Sequence, residues 1–171
     1  MKNIVLVGFM GTGKSSVGRV LARRLKREFV DIDRYIETQQ NCSIREIFET
    51  RGEPAFRALE KEAVAFWAPQ ENKVITTGGG TVIDSDNYDK LKANGVLITL
   101  IAKPETIFER VKNSKHRPLL NDKSDLLSEI KTILEKRMPY YNRSDFYFDT
   151  DGKNSVQVAR MIQNVVLPKL V

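Results

Sequence analysis

Apolar positions in this chain follow two habits. Some form short unbroken runs; others recur every three or four residues. Ile4-Val5-Leu6-Val7 is an unbroken, mostly β-branched run, as a buried parallel strand requires. Val17, Leu21 and Leu25 then recur at helical spacing. The pattern predicts a strand over about 2–7 and a helix over about 14–26. Glu28 to Asp33 reads as a second strand ending in acid, and 34–40 as helical. Ser43 and Glu46 form a capping box for a helix whose apolar face is Ile44, Ile47 and Phe48. Gly52 stops that helix, and Pro54 suits the first turn of the next, which runs to about Trp67.

Lys73 to Thr77 reads as a third strand leading into Gly78-Gly79-Gly80, with a helix over 84–94 beyond. Val96 to Ile101 is the clearest buried strand, and Pro104 opens a helix to about Val111. Lys112 to Lys123 is polar, basic and weakly periodic apart from Pro118-Leu119-Leu120, and reads as a mobile loop. A helix over 125–137, a strand over 146–149, a turn at Asp151-Gly152 and a helix over 155–167 complete the chain. Five short strands separated by helices predict an α/β fold with a parallel sheet. Ligands of such sheets bind beyond the carboxyl ends of the strands. The residues that follow strands should therefore meet at one edge.

One of those strand-following stretches carries specific chemistry. Gly8-Phe9-Met10-Gly11-Thr12-Gly13-Lys14-Ser15 fits G-x-x-x-x-G-K-[ST] at every fixed position, between a strand and a helix. Glycines let backbone N–H groups curl around an anion, and the following helix adds its positive end. In such loops the lysine, here Lys14, reaches the β- and γ-phosphates, and the hydroxyl, here Ser15, ligates Mg²⁺. A nucleoside triphosphate is the expected ligand.

Composition narrows the classes that remain. The chain has 171 residues, a net charge of +6 and a single cysteine, Cys42. That excludes a disulfide framework and a cysteine zinc site, and fits a reducing cytosol. No apolar run reaches membrane-spanning length, and no signal peptide, internal repeat or low-complexity segment is expected. The positive residues are scattered, so small anionic substrates explain the charge as well as nucleic acid does.

Other constellations admit two readings each. Asp31-x-Asp33 puts two acids at a strand end, with their side chains on the same face. They can hold Mg²⁺ through water and receive a hydroxyl proton, or they can cap a helix. No acid follows strand three until Asp84, which makes Asp31 the better metal candidate. Arg57 with Glu60 fits a carboxylate-binding fork, but spacing alone favours a surface ion pair. The glycine run 78–80 is either a close backbone approach to ligand or a flexible turn. Arg110, Arg117 and Arg137 are candidates for phosphate or carboxylate contact, against a default of solvated surface arginines. His116 reads as a solvated loop residue; Cys42 and Trp67 read as packing.

Taken together these residues resemble shikimate kinase over nearly the whole chain. The discriminating matches are Asp31-x-Asp33, Ile44-x-x-Ile47-Phe48-x-x-x-Gly52-Glu53-x-x-Phe56-Arg57-x-x-Glu60, Thr77-Gly78-Gly79-Gly80, Arg117-Pro118-Leu119 and Arg137-x-Pro139-x-Tyr141. The resemblance implies one P-loop kinase domain over 1–171, with a substrate-binding region at 33–61 and a lid at 112–124. It implies a nucleoside-monophosphate-kinase-like fold with strand order 2-3-1-4-5. It implies transfer of the ATP γ-phosphoryl to the 3-hydroxyl of shikimate, a step toward chorismate and the aromatic amino acids, with Mg²⁺ as cofactor.

By carry-over, Asp33, Lys14 and Arg117 are catalytic. Arg57 and Arg137 clamp the shikimate carboxylate, Glu60 steers Arg57, and Asp33 with Gly78, Gly79 and Gly80 holds the hydroxyls. The nucleotide falls to Gly11, Thr12, Gly13, Lys14, Ser15, Ser16, Arg110 and Arg117. The metal falls to Ser15 and Asp31, and Asp151 to Asn154 is placed near the adenine by position. The expected partners are ATP and shikimate, without nucleic acid or membrane, for a cytoplasmic monomer. The rivals are a gluconate or nucleoside monophosphate kinase, a non-catalytic nucleotide-binding regulatory module, and a basic nucleic-acid binder.

Overall fold

The computed structural model describes residues 1–112 and 125–169. Its elements run β1 (Asn3–Val7), α1 (Lys14–Leu25), β2 (Glu28–Asp31), α2 (Ile32–Gln40), α3 (Ile44–Trp67) and β3 (Lys73–Thr76). A 3-10 turn (Thr81–Ile83) leads into α4 (Ser85–Ala93) and β4 (Gly95–Ile101). Then follow α5 (Pro104–Val111), α6 (Leu126–Tyr141), β5 (Phe146–Asp149) and α7 (Ser155–Val166). The sheet order is β2-β3-β1-β4-β5 and every pairing is parallel. The β1 strand is central: Val5 faces Ile75 on one side and Leu97 on the other.

Two-residue alternation divides β1 between two cores. Ile4 and Leu6 pack with Val17 and Leu21 of α1 and Val158 and Ile162 of α7. Val5 and Val7 pack on the opposite side with Val64 of α3, Leu91 of α4, Ile107 of α5 and Ile130 of α6. Contact between α1 and the sheet is close enough to require a glycine. A Cβ on Gly18 would lie 2.6 Å from Thr76 Cγ2 and 2.8 Å from Phe29 Cε2. Gly18→Ala gains about 1 kcal/mol of helix propensity but overpacks, at a cost of roughly 1–3 kcal/mol. We predict a net loss of stability, read as a lower urea midpoint at unchanged slope; an equal or higher midpoint would show that the interface yields.

Two boundaries differ from the sequence expectation. The second strand ends at Asp31, and α2 begins at Ile32. Asp31 is the reason: it caps α2, its carboxylate accepting from Arg34 N at 3.3 Å. Asp33 therefore sits in the first turn of a helix, not at a strand end. Helix α6 also continues past Arg137 to Tyr141, with Pro139 inside. A proline so near the end removes one donor, and the last turn still closes through Asn142 N to Met138 O at 2.9 Å. At Ser43 the capping box forms as expected, and the break at Gly52 has φ 80°, ψ 170°.

Candidate active site

The loop after β1 is built by close approach and positive φ. Gly8 has φ +134°, and a Cβ there would lie 2.4 Å from the Leu100 carbonyl oxygen. Gly13, at φ 93°, is the N-cap of α1 and supplies no side chain to that end. Lys14 follows at the first helical position, largely buried, its ammonium donating to Gly8 O at 2.8 Å and Phe9 O at 2.9 Å. Ser15 Oγ donates to Asp31 Oδ2 at 2.7 Å. Mg²⁺ binds one or two protein oxygens together with phosphates and waters. The Ser15–Asp31 pair is a donor set of that kind.

A cavity of about 530 Å³ opens beside this loop. Gly11, Gly13, Lys14, Ser15, Ser16, Asp31 and Arg110, the residues expected to hold nucleotide and metal, line it. Asp33, Arg57, Glu60, Gly78, Gly79, Gly80 and Arg137 also line it. Two expected residues are not brought there. Thr12 is buried, and its hydroxyl donates backward to Phe9 O at 2.8 Å, so its side chain faces the protein interior. Arg117 and the 112–124 segment, apart from Lys112, lie outside the described residues.

Asp33 is the electrostatic centre of the cavity. Its Oδ1 is buried without a hydrogen-bond partner among the described residues. Burial, then the neighbouring carboxylates Asp31 and Glu60, push its pKa up to about 7 against the opposing pull of Lys14. A carboxyl group in that range gains or loses its proton near neutrality, as a proton acceptor must.

The i,i+3 pair of Arg57 and Glu60 forms, but not as a surface ion pair. Glu60 is 1% exposed and Arg57 Nη1 donates to its Oε2 at 2.8 Å. Glu53 holds the outer edge, accepting from Arg57 Nε at 3.3 Å and Nη2 at 3.1 Å. Arg137, from α6, lies over the Phe9 ring, 5.6 Å from its centroid. Both guanidiniums press on the glycine run. A Cβ on Gly80 would meet Arg57 Nη2 at 2.7 Å, and one on Gly79 would meet Arg137 Nη1 at 3.1 Å. On Gly78 it would meet Asp33 Oδ1 at 3.0 Å and Glu60 Oε1 at 3.1 Å. None of the three has the positive φ that marks other glycines here. At these positions charged side chains occupy the space a Cβ would need.

Arg110 ties the phosphate-loop sequence to the segment after β5. It donates to Gly11 O at 3.0 Å, Thr150 Oγ1 at 3.1 Å and Thr150 O at 2.9 Å. Asp151, next in the chain, accepts from Lys103 N ahead of α5. Several contributors were not among the individually expected site residues. Tyr141 is buried and donates to Gly79 O at 2.6 Å; burial pushes its phenol up to about 12. Phe48 and Phe56, 5.0 Å apart, form an apolar wall, and Glu37 lines the rim. Tyr141 stood in the Arg137-x-Pro139-x-Tyr141 motif without a function. Thr81, which bonds Glu60, had no signal at all beyond following the glycine run.

This geometry has close relatives. A family model described as shikimate kinase matches residues 10–167. The chain belongs to the shikimate kinase family. A shikimate kinase of Thermodesulfovibrio yellowstonii is 46% identical, over 95% of this chain and 93% of its own. One of Pelotomaculum thermopropionicum is 47% identical, over 97% and 94%. Among solved structures, shikimate kinase from Acinetobacter baumannii in complex with shikimate has a TM-score of 0.94 at 33% identity, covering 99% of this chain and 94% of that one. The sheet order expected from the resemblance is the one observed. No helix among the described residues is long and apolar enough to cross a membrane.

Proposed function

We propose that this kinase transfers the γ-phosphoryl group of ATP to the 3-hydroxyl of shikimate, giving shikimate 3-phosphate and ADP. The observation that carries the reading is a single cavity with a phosphate loop at one end and Arg57, Arg137 and Asp33 at the other. Two guanidiniums suit a carboxylate, and a buried acid lining the same cavity suits a hydroxyl. A relative was solved with shikimate bound.

Phosphoryl transfer through a loose transition state needs positioning and charge neutralisation more than strong base catalysis. Arg57 and Arg137 hold the acceptor carboxylate, with Glu60 fixing Arg57. Asp33 orients the attacking hydroxyl and takes its proton as the bond to phosphorus forms. Lys14, drawn from its loop carbonyls toward the β- and γ-phosphates, stabilises the moving charge. Mg²⁺, held by Ser15 and through water by Asp31, would supply further neutralisation of the phosphates. Arg110 holds the base end of the site together, and Arg117 is assigned to closure over the phosphates. The working form we propose is a cytoplasmic monomer that binds neither nucleic acid nor membrane.

The direct test is ADP release with Mg-ATP in a coupled assay, with shikimate, gluconate, AMP and CMP in parallel. Turnover dependent on shikimate alone is expected. Turnover with one of the others would keep the kinase and replace the acceptor; nucleotide binding without turnover would leave a regulatory module. Within the same assay, Arg57→Ala is expected to raise the shikimate KM by about 10–100-fold, since a charge-assisted hydrogen bond is worth about 1.5–3 kcal/mol. An unchanged KM would remove Arg57 from the carboxylate site.

A further inference from the structure

Glu60 is a carboxylate sealed in the protein, and its two oxygens are divided between two partners. Oε2 accepts from Arg57 Nη1 at 2.8 Å; Oε1 accepts from Thr81 Oγ1 at 2.6 Å. Thr81 is fully buried in the 3-10 turn after the glycine run. Its own backbone is tied down at both ends. The Thr81 N–H donates to Gly78 O at 3.4 Å, and its carbonyl accepts from Asn87 Nδ2, a fully buried residue of α4, at 3.2 Å. A chain of contacts thus runs from α4 through the turn to Glu60, and from Glu60 to the guanidinium that faces the cavity.

We infer that Thr81 is a positioning residue: its hydroxyl, acting through Glu60, sets the orientation in which Arg57 meets the substrate carboxylate. This rests on the shikimate kinase reading above. The physical reason lies in the single proton of the hydroxyl. By taking Oε1, Thr81 leaves Glu60 one oxygen for Arg57, so Glu60 holds the guanidinium at Nη1 while Glu53 takes Nε and Nη2, and the second protons of Nη1 and Nη2 stay available to other partners. Remove the hydroxyl, and Oε1 is a buried charged acceptor without its donor. The arginine fork is the available remedy, because carboxylates pair with it through both oxygens. Arg57 would then turn inward and be more fully neutralised by Glu60, with fewer donors toward the cavity. The bonds of Lys14 to the Gly8 and Phe9 carbonyls and the Ser15–Asp31 pair do not involve Thr81, so the effect is expected at the acceptor end.

Steady-state kinetics of Thr81→Val and Thr81→Ser test this. Valine keeps the shape and deletes the donor; serine keeps the donor. Thr81→Val is expected to raise the shikimate KM about tenfold, equivalent to about 1.4 kcal/mol, with kcat and the ATP KM near wild type. Thr81→Ser is expected to restore the shikimate KM to within about twofold of wild type. A wild-type shikimate KM in Thr81→Val overturns the inference. So does equal impairment of the valine and serine variants, or a loss spread over kcat and both KM values, since each would mark a packing role. If valine prevents folding, Thr81→Ala carries the same expectation, and failure of both to fold assigns Thr81 to structure alone. Absence of shikimate turnover in the wild type would instead defeat the functional reading, which separates the two failures.

Discussion

Asp33→Asn is expected to lose phosphoryl transfer while the protein still binds ATP. Positioned general acid–base groups contribute about 10²–10⁴-fold, and a fall in kcat of that size is the expected result. The phosphate loop is unaffected, so nucleotide affinity measured by calorimetry should stay near wild type. Wild-type turnover in the variant would sink the role of Asp33. The wild-type pH profile carries a second check. Asp33 accepts a proton only when ionised, and its pKa is pushed up to about 7 by burial and by its acidic neighbours. The kcat/KM for shikimate should therefore rise with pH through about 7 and then flatten. A profile already flat at pH 5 would contradict that assignment.

The same shift makes Asp33 a stability liability, with a definite sign. An aspartate in an unfolded chain titrates near 3.9; in this fold it titrates near 7. Between those values the native state binds more protons than the unfolded state. The stabilisation from the protonated form is complete below the unfolded pKa and is lost as pH rises through the folded pKa. A displacement of about three units amounts to ~4 kcal/mol at full ionisation. Asp33→Asn should remove that slope. It should melt several degrees above wild type at pH 8 and close to it at pH 4. An equal difference at both pH values would mean that ionisation is not the cause.

How far the sequence disclosed this site depended on the kind of signal. The phosphate loop follows from local spacing and the parallel α/β class from elements that alternate, so both were legible; the strand order came only with the family resemblance. Asp31 and Asp33 were legible as a pair but not in their geometry. Nothing in Asp-Ile-Asp says that the first acid will cap a helix and put the second into its first turn. Arg57 shows the opposite limit. Its spacing to Glu60 is that of an ordinary surface pair, and only burial of Glu60 beneath the glycine run distinguishes it. Tyr141 and Thr81 act through tertiary contacts 62 and 21 residues away in the chain. No periodicity records contacts of that range. The family resemblance nominated the site residues; the structure adds that the glycine run is shaped around four of them, Asp33, Arg57, Glu60 and Arg137.

That shaping makes Gly80→Ala the most informative single change at the acceptor end. The new Cβ would lie 2.7 Å from Arg57 Nη2, 2.9 Å from Nη1 and 3.0 Å from Cζ. Those atoms end a flexible side chain, so the clash is relieved by moving the guanidinium, not by deforming the sheet. The backbone at Gly80 has φ −102°, which alanine adopts without strain. The sheet is therefore spared, but Arg57 is expelled from its place beside the buried Glu60, and loss of that ion pair should lower stability as well. Losing one charge-assisted hydrogen bond to the substrate carboxylate predicts a rise in shikimate KM of about 10–100-fold, with the ATP KM unchanged. Gly8→Ala supplies the contrast. There the Cβ would lie 2.4 Å from the Leu100 carbonyl oxygen at φ +134°, and neither backbone can give way cheaply. That variant should lose stability and nucleotide binding together. If Gly80→Ala instead keeps its shikimate KM, the glycine run is a turn that merely happens to pass the arginine.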